Sequence, residues 1–118
     1  MDKYTVAKPW GHEVIFANTN KYIGKIIYIA RGHRLSRQYH IQKDETIFVQ
    51  DGQLHLEIGI PGNPDFHEMT LHYGDRYRIK PGLIHRFCAP PNQGVTLVEV
   101  SSPELTDVVR LEDDYNRS

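Results

Sequence analysis

The sequence predicts an all-β fold, and two kinds of observation lead there. β-branched and aromatic residues gather in short runs, several of them alternating apolar and polar side chains with the two-residue period of a half-buried strand. Turn-forming Gly, Pro, Asn and Asp separate the runs: Asn18-Thr19-Asn20, Arg31-Gly32, Asp51-Gly52, Tyr73-Gly74-Asp75, Pro81-Gly82 and Pro90-Pro91. The 118 residues fit a single domain, 1–118, and a chain of this size buries about two-thirds of its unfolded surface.

In chain order, the first informative piece is Lys8-Pro9-Trp10-Gly11, followed by a short strand over 13–16. Trp10 reads as an aromatic plug at one end of a barrel. The neighbouring strand, at an open sheet edge, invites pairing with a second copy. Residues 25–30 form a β-branched strand, with Gly32 permitting the corner after it. Residues 46–50 and 54–58 flank Asp51-Gly52 as a hairpin. Alternation puts Ile47 and Val49 on the inner face with Glu45, and Leu54, Leu56 and Ile58 on the next, leaving His55 and Glu57 outside. Residues 59–65, with two prolines, read as a variable loop. Strands follow over 66–72, 76–80, 85–89 and 95–100, and Pro103 suits the first position of a helical turn. Taken alone, 107–118 reads as a solvated tail.

Composition narrows the function. A net charge of −1 makes no electrostatic case for nucleic-acid binding. No stretch approaches the ~18 apolar residues of a membrane span, and no signal-peptide pattern opens the chain. One cysteine, Cys88, cannot form an internal disulfide, which fits a reducing compartment. The expectation is a cytoplasmic protein.

The chemistry concentrates in Gln38-Tyr39-His40 and in Pro81-Gly82-Leu83-Ile84-His85. Side chains two apart on a strand share a face, with Cα atoms roughly 6–7 Å apart. A carboxamide oxygen and an imidazole nitrogen can therefore converge on one cation at about 2.0–2.2 Å. Glu45 has the wrong parity for that face, and a turn or bulge through 42–44 returns it. His85 supplies a fourth group from a neighbouring strand. Gln38, His40, Glu45 and His85 make a mixed nitrogen–oxygen shell suited to one divalent ion such as zinc, iron, manganese, cobalt or nickel. Other histidines fit poorly: His33 precedes the motif strand, and His67 and His72 fall on opposite faces. Cys88 differs in parity from His85 and points away from the metal.

These two segments resemble the signature motifs of the cupins, small metal-binding β-barrels. The form Leu35-Ser36-x-Gln38-x-His40-x4-Glu45 is similar to that of type II phosphomannose isomerases, also found as the C-terminal domain of mannose-1-phosphate guanylyltransferases. Lys8-Pro9-Trp10-Gly11, Pro81-Gly82-Leu83-Ile84-His85-Arg86 and residues 109–117 extend the resemblance. It implies a single cupin barrel of the double-stranded β-helix, jelly-roll type. It also implies a metal-dependent isomerase of sugars or sugar phosphates, with a small-molecule ligand and a homodimer touching near residues 10–16. Its C-terminal segment would fold over the barrel mouth and present Arg110 to an anion. The isomerases carry arginine two residues before the ligand glutamate, where this chain has Lys43. Lys43 and Arg110 are the expected substrate-facing cations. Another metal-dependent cupin enzyme, acting as a dioxygenase or decarboxylase of a small acid, or a non-catalytic ligand-binding cupin, stays open as an alternative.

Overall fold

Residues 4–117 of the computed structural model are described here, and they carry eleven strands. These are β1 (Thr5–Lys8), β2 (Gly11–Asn18), β3 (Ile23–Ile29), β4 (Arg37–Tyr39), β5 (Glu45–Asp51), β6 (Leu54–Gly59), β7 (Phe66–Leu71), β8 (Arg76–Ile79), β9 (Ile84–Cys88), β10 (Val95–Ser101) and β11 (Val109–Glu112). No helix long and apolar enough to cross a membrane occurs among the described residues.

The strands form two antiparallel sheets, ordered β1-β2-β3-β10-β5-β8 and β11-β4-β9-β6-β7. They face each other as a jelly roll, the double-stranded β-helix that the resemblance implies. Alternation sets the core. Ile27 and Ile29 of β3, Leu97 of β10, and Ile47 and Val49 of β5 meet Leu54 and Leu56 of β6 and Phe87 of β9, all essentially inaccessible. Trp10 is 2% exposed and belongs to this core, as expected of a plug. Gly11 next to it has φ 154°, and a side chain there would strike the Tyr28 carbonyl. Only glycine lets β2 start so close to β3.

Two expectations are corrected, and the turn expected through 42–44 takes the form of a crossing between the sheets. Residues 46–50 and 54–58 do not form a hairpin, because β5 lies between β10 and β8 in one sheet while β6 lies between β9 and β7 in the other. Both hydrogen-bonding edges of β5 are already taken, so the turn at Gly52 (φ 80°) sends the chain across the barrel. The same kind of crossing, between β4 and β5, returns Glu45 to the interior. It reaches the site from the wall opposite His40, with no parity change inside one strand. Finally, residues 103–106 bend without a helical turn. The segment instead runs extended into β11, which pairs with β4.

Candidate metal centre

Gln38 of β4 and His85 of β9 are direct partners across adjacent strands. His40 follows one residue after β4 ends, and Glu45 opens β5 on the facing sheet. His40, Glu45 and His85 are each at most 5% exposed, and their ligand-capable atoms all lie within 4.8 Å of one another. Glu45 Oε1 is 3.3 Å from His85 Nε2 and 3.7 Å from His40 Nε2. Tetrahedral ligands at about 2.1 Å from one ion stand roughly 3.4 Å apart.

The hydrogen bonds behind the imidazoles orient them. His40 Nδ1 meets the Asp107 carbonyl and His85 Nδ1 the Leu83 carbonyl, at 3.0 Å in the second case. A carbonyl only accepts, so each Nδ1 carries a proton and each ring turns its Nε2 inward. His85 Nε2 is buried and has no hydrogen-bond partner. Burial alone would push the Glu45 carboxyl up, but the two imidazoles and the Lys43 ammonium outweigh it and hold it well below the usual range. Two inward imidazole nitrogens and a carboxylate that converge in a buried space could hold a cation between them. The residues present fit a divalent ion.

Gln38 needs one adjustment to join them. Its Oε1 accepts from Ser36 Oγ at 2.5 Å, and its Nε2 lies 3.5 Å from His40 Nε2. A half-turn of the amide exchanges its two ends, gives Ser36 an N–H to accept, and aims the oxygen at the centre.

Lys43 departs from its expected place at the barrel mouth. It is 6% exposed, and its Nζ lies 3.1 Å from Glu45 Oε2 and 3.2 Å from Glu99 Oε2. A buried ammonium is stable only beside carboxylates, and these two draw it inside. Burial alone would lower its pKa, yet Glu99 and Glu45 together raise it. Glu99 went unnoticed in the sequence. Burial, then the Glu45 charge, push its carboxyl up to about 8, against the pull of Lys43. The available signal was parity: Glu99 shares the inward face of β10 with Val95 and Leu97, where a charge needs a reason. Lys25, its cross-strand partner on β3, pairs with Glu13 at 3.3 Å and continues the polar lining.

Arg110 stands opposite Gln38 in the β11–β4 register and lines the same cavity. The acids after it are held by other arginines: Asp114 by Arg34 and Arg86, Glu112 by Arg37, and Asp113 by Arg117. His33 stacks on Tyr115 away from the centre, and His67 and His72 are exposed. Cys88 lies on the outer side near Glu57, where burial and that carboxylate push its thiol up to about 11.

The family model described as "Mannose-6-phosphate isomerase C-terminal" matches residues 2–113. No curated protein matches the chain in sequence. Among solved structures, the capsular polysaccharide assembling protein CapF from Staphylococcus aureus superposes with a TM-score of 0.81 at 15% identity. That match covers 92% of this chain and 34% of CapF, so the chain spans about a third of that protein's length. KdgF from Halomonas sp. gives 0.73 at 19% identity over 90% of this chain and 92% of its own. A sugar phosphate isomerase of the cupin superfamily from Silicibacter pomeroyi gives 0.64 at 18% identity, over 77% and 58%. At these identities the structures speak for the fold, and the family model speaks for descent. The chain is a cupin and belongs to the mannose-6-phosphate isomerase C-terminal family.

Proposed function

We propose that this protein is a metal-dependent isomerase that interconverts the aldose and ketose forms of a phosphorylated sugar, with Gln38, His40, Glu45 and His85 as the metal ligands. The observation that carries the reading is the buried convergence of His40, Glu45 and His85 at one side of a cavity rich in positive charge. That cavity is lined by five cationic side chains, Lys8, Lys25, Lys43, Arg110 and Arg117, against three carboxylates, Glu13, Glu45 and Glu99. Such a balance favours an anionic ligand. A divalent ion at the centre supplies Lewis acidity to the carbonyl and neighbouring hydroxyl of the sugar.

The chain's own groups divide the remaining tasks. Arg110 binds the phosphate through paired N–H donors. Glu99, which with Glu13 is a lining carboxylate outside the ligand set, takes in its ionised form a proton from the carbon beside the carbonyl and returns it to the former carbonyl carbon, while the hydroxyl proton passes to the former carbonyl oxygen. Lys43 balances the charge of Glu45 and Glu99 as the proton moves. The single cysteine, Cys88, supports a cytoplasmic setting for this work.

The test is an assay of aldose and ketose phosphates with protein loaded separately with zinc, manganese, cobalt, iron and nickel. Interconversion that His40→Ala and His85→Ala abolish, together with their bound metal, is the expected result. Stoichiometric metal and tight sugar-phosphate binding with no turnover would instead make it a binding protein. Full metal content in both variants would overturn the ligand assignment.

A further inference from the structure

Three consecutive backbone N–H groups in the turn between His40 and Glu45 point at one side chain. Ile41 donates to Asp107 Oδ1 at 3.1 Å, while Gln42 and Lys43 donate to Oδ2 at 2.6 and 2.9 Å. The same residue's main-chain carbonyl accepts the His40 Nδ1 proton. One residue therefore satisfies four donors in the stretch that runs between two candidate ligands. Those bonds, Gln42's foremost, hold the Asp107 carboxyl below the usual range.

Asp107 belongs to the crossing from β10 to β11. Leu105 and Val108 of that crossing, with Arg110 of β11, form one wall of the cavity. A second tie lies beside it: Asp44 N donates to Ser102 Oγ at 2.9 Å, and Ser102 N to the Asp44 carbonyl at 3.0 Å. No strand pairing holds residues 102–108, and the turn at 41–44 likewise lies outside any strand. Each segment's position depends on the other.

We propose that Asp107 is a positioning residue that couples the strap of residues 102–112 to the metal centre, so that ion binding and strap ordering are linked equilibria. The inference rests on the metal-site reading above. The physical chain is short. The carboxylate sets the path from His40 to Glu45 and hence their separation. The carbonyl fixes the His40 tautomer that leaves Nε2 free to bind. Linkage is reciprocal. An ion that needs this arrangement holds the strap down, and a strap that has lost its anchor binds the ion less well. Because β11 carries Arg110, the metal and the anion-binding group are then ordered together.

The experiment uses the full chain and Zn²⁺ or Co²⁺ alone as the probe. Affinity is measured by calorimetry, and backbone hydrogen exchange is followed over 38–45 and 102–112 with and without metal. For wild type, metal slows exchange in both segments. Asp107→Ala lowers affinity by about 10–100-fold, the usual effect of losing a group that orients a ligand, changes the Co²⁺ visible spectrum, and leaves strap exchange indifferent to metal. Asp107→Asn, which keeps one acceptor oxygen, falls between. Asp113→Ala removes a carboxylate of the same tail that pairs with Arg117, and binds metal as wild type does. A far-UV circular dichroism spectrum checks folding; if Asp107→Ala does not fold, Asp107→Asn decides. Asp107 variants within twofold of wild-type affinity, or wild-type strap exchange unmoved by metal, would sink the coupling while leaving the metal site intact. Wild type that binds no metal overturns the site and the coupling with it.

Discussion

Arg110 owes its place to register: as the direct partner of Gln38 it shares that residue's inward face. In solution, Arg110→Ala should weaken sugar-phosphate binding by roughly 1.5–3 kcal/mol, the range for a hydrogen bond to a charged group, with metal content unchanged. Arg110→Lys should recover only part, since an ammonium cannot make two parallel bonds. Calorimetric titration of the three proteins with one sugar phosphate decides this, and equal affinities would leave β11 a structural element only. Lys43 calls for a different expectation. With Glu45 at 3.1 Å and Glu99 at 3.2 Å, it holds two carboxylates together. Lys43→Met should therefore destabilise the fold by about 3–5 kcal/mol, the cost of leaving buried charge unpaired. A melting curve of metal-free protein tests that separately from activity.

At the scale of elements, ion pairs add to the β11–β4 pairing in attaching the C-terminal segment. Asp114 is held down by Arg34 and Asp107 by the turn amides, while Arg117 lowers Asp113 to about 2 from an ordinary 3.8 and fixes the tail's own final turn. A carboxylate whose folded pKa is depressed stabilises the folded form above its unfolded pKa. That contribution fades as pH falls through the folded value. The attachment of β11 should thus be complete above about pH 4 and weaken as the pH falls below that, through the lowered values of Asp114 and Asp107. Hydrogen exchange of residues 105–117 across that range measures it. Release that begins on raising the pH instead would contradict the sign. Arg86 is the buried counterpart of these acids. It sits on the outer side of β9 with 0% exposure and reaches Asp114 at 3.1 Å and the Leu35 carbonyl at 2.8 Å. The tail therefore covers a buried charge, and its removal should cost more than its few apolar contacts suggest.

For the whole molecule, one sheet has an apolar outer face. Phe16 is 56% exposed, Ile26 38% and Val100 53%, and Val14, Ile26 and Val98 line up in register across β2, β3 and β10. Trp10 is spent on the core and contributes no such surface, so the dimer contact expected near residues 10–16 falls to the β2 face and its neighbours. A homodimer that packs these faces together should appear in light scattering at tens of micromolar. Ile26→Lys should return it to monomers without loss of metal. A monomeric wild type would refute the assembly.

Much of this molecule was legible in the chain. Strand alternation identified Ile47, Val49, Leu54 and Leu56 as core, because a period of two needs no knowledge of the partner strand. The spacing of Gln38 and His40, with His85 after its Pro-Gly turn, identified candidate ligands from local geometry and residue chemistry. Which sheet each strand joins was not legible. The Asp51-Gly52 turn is compatible with a hairpin or a crossing, and only competition for the edges of β5 decides between them. The surroundings of the ligands were hidden for the same reason. Glu99 meets Lys43 and Glu45 because β10 lies beside β5, and Asp107 meets residues 41–43 across 64 to 66 positions of chain. Local sequence determined which side chains point inward and which could bind a metal. Tertiary structure alone decided which of them meet, since charge pairing and orienting hydrogen bonds depend on distances that only the closed barrel sets.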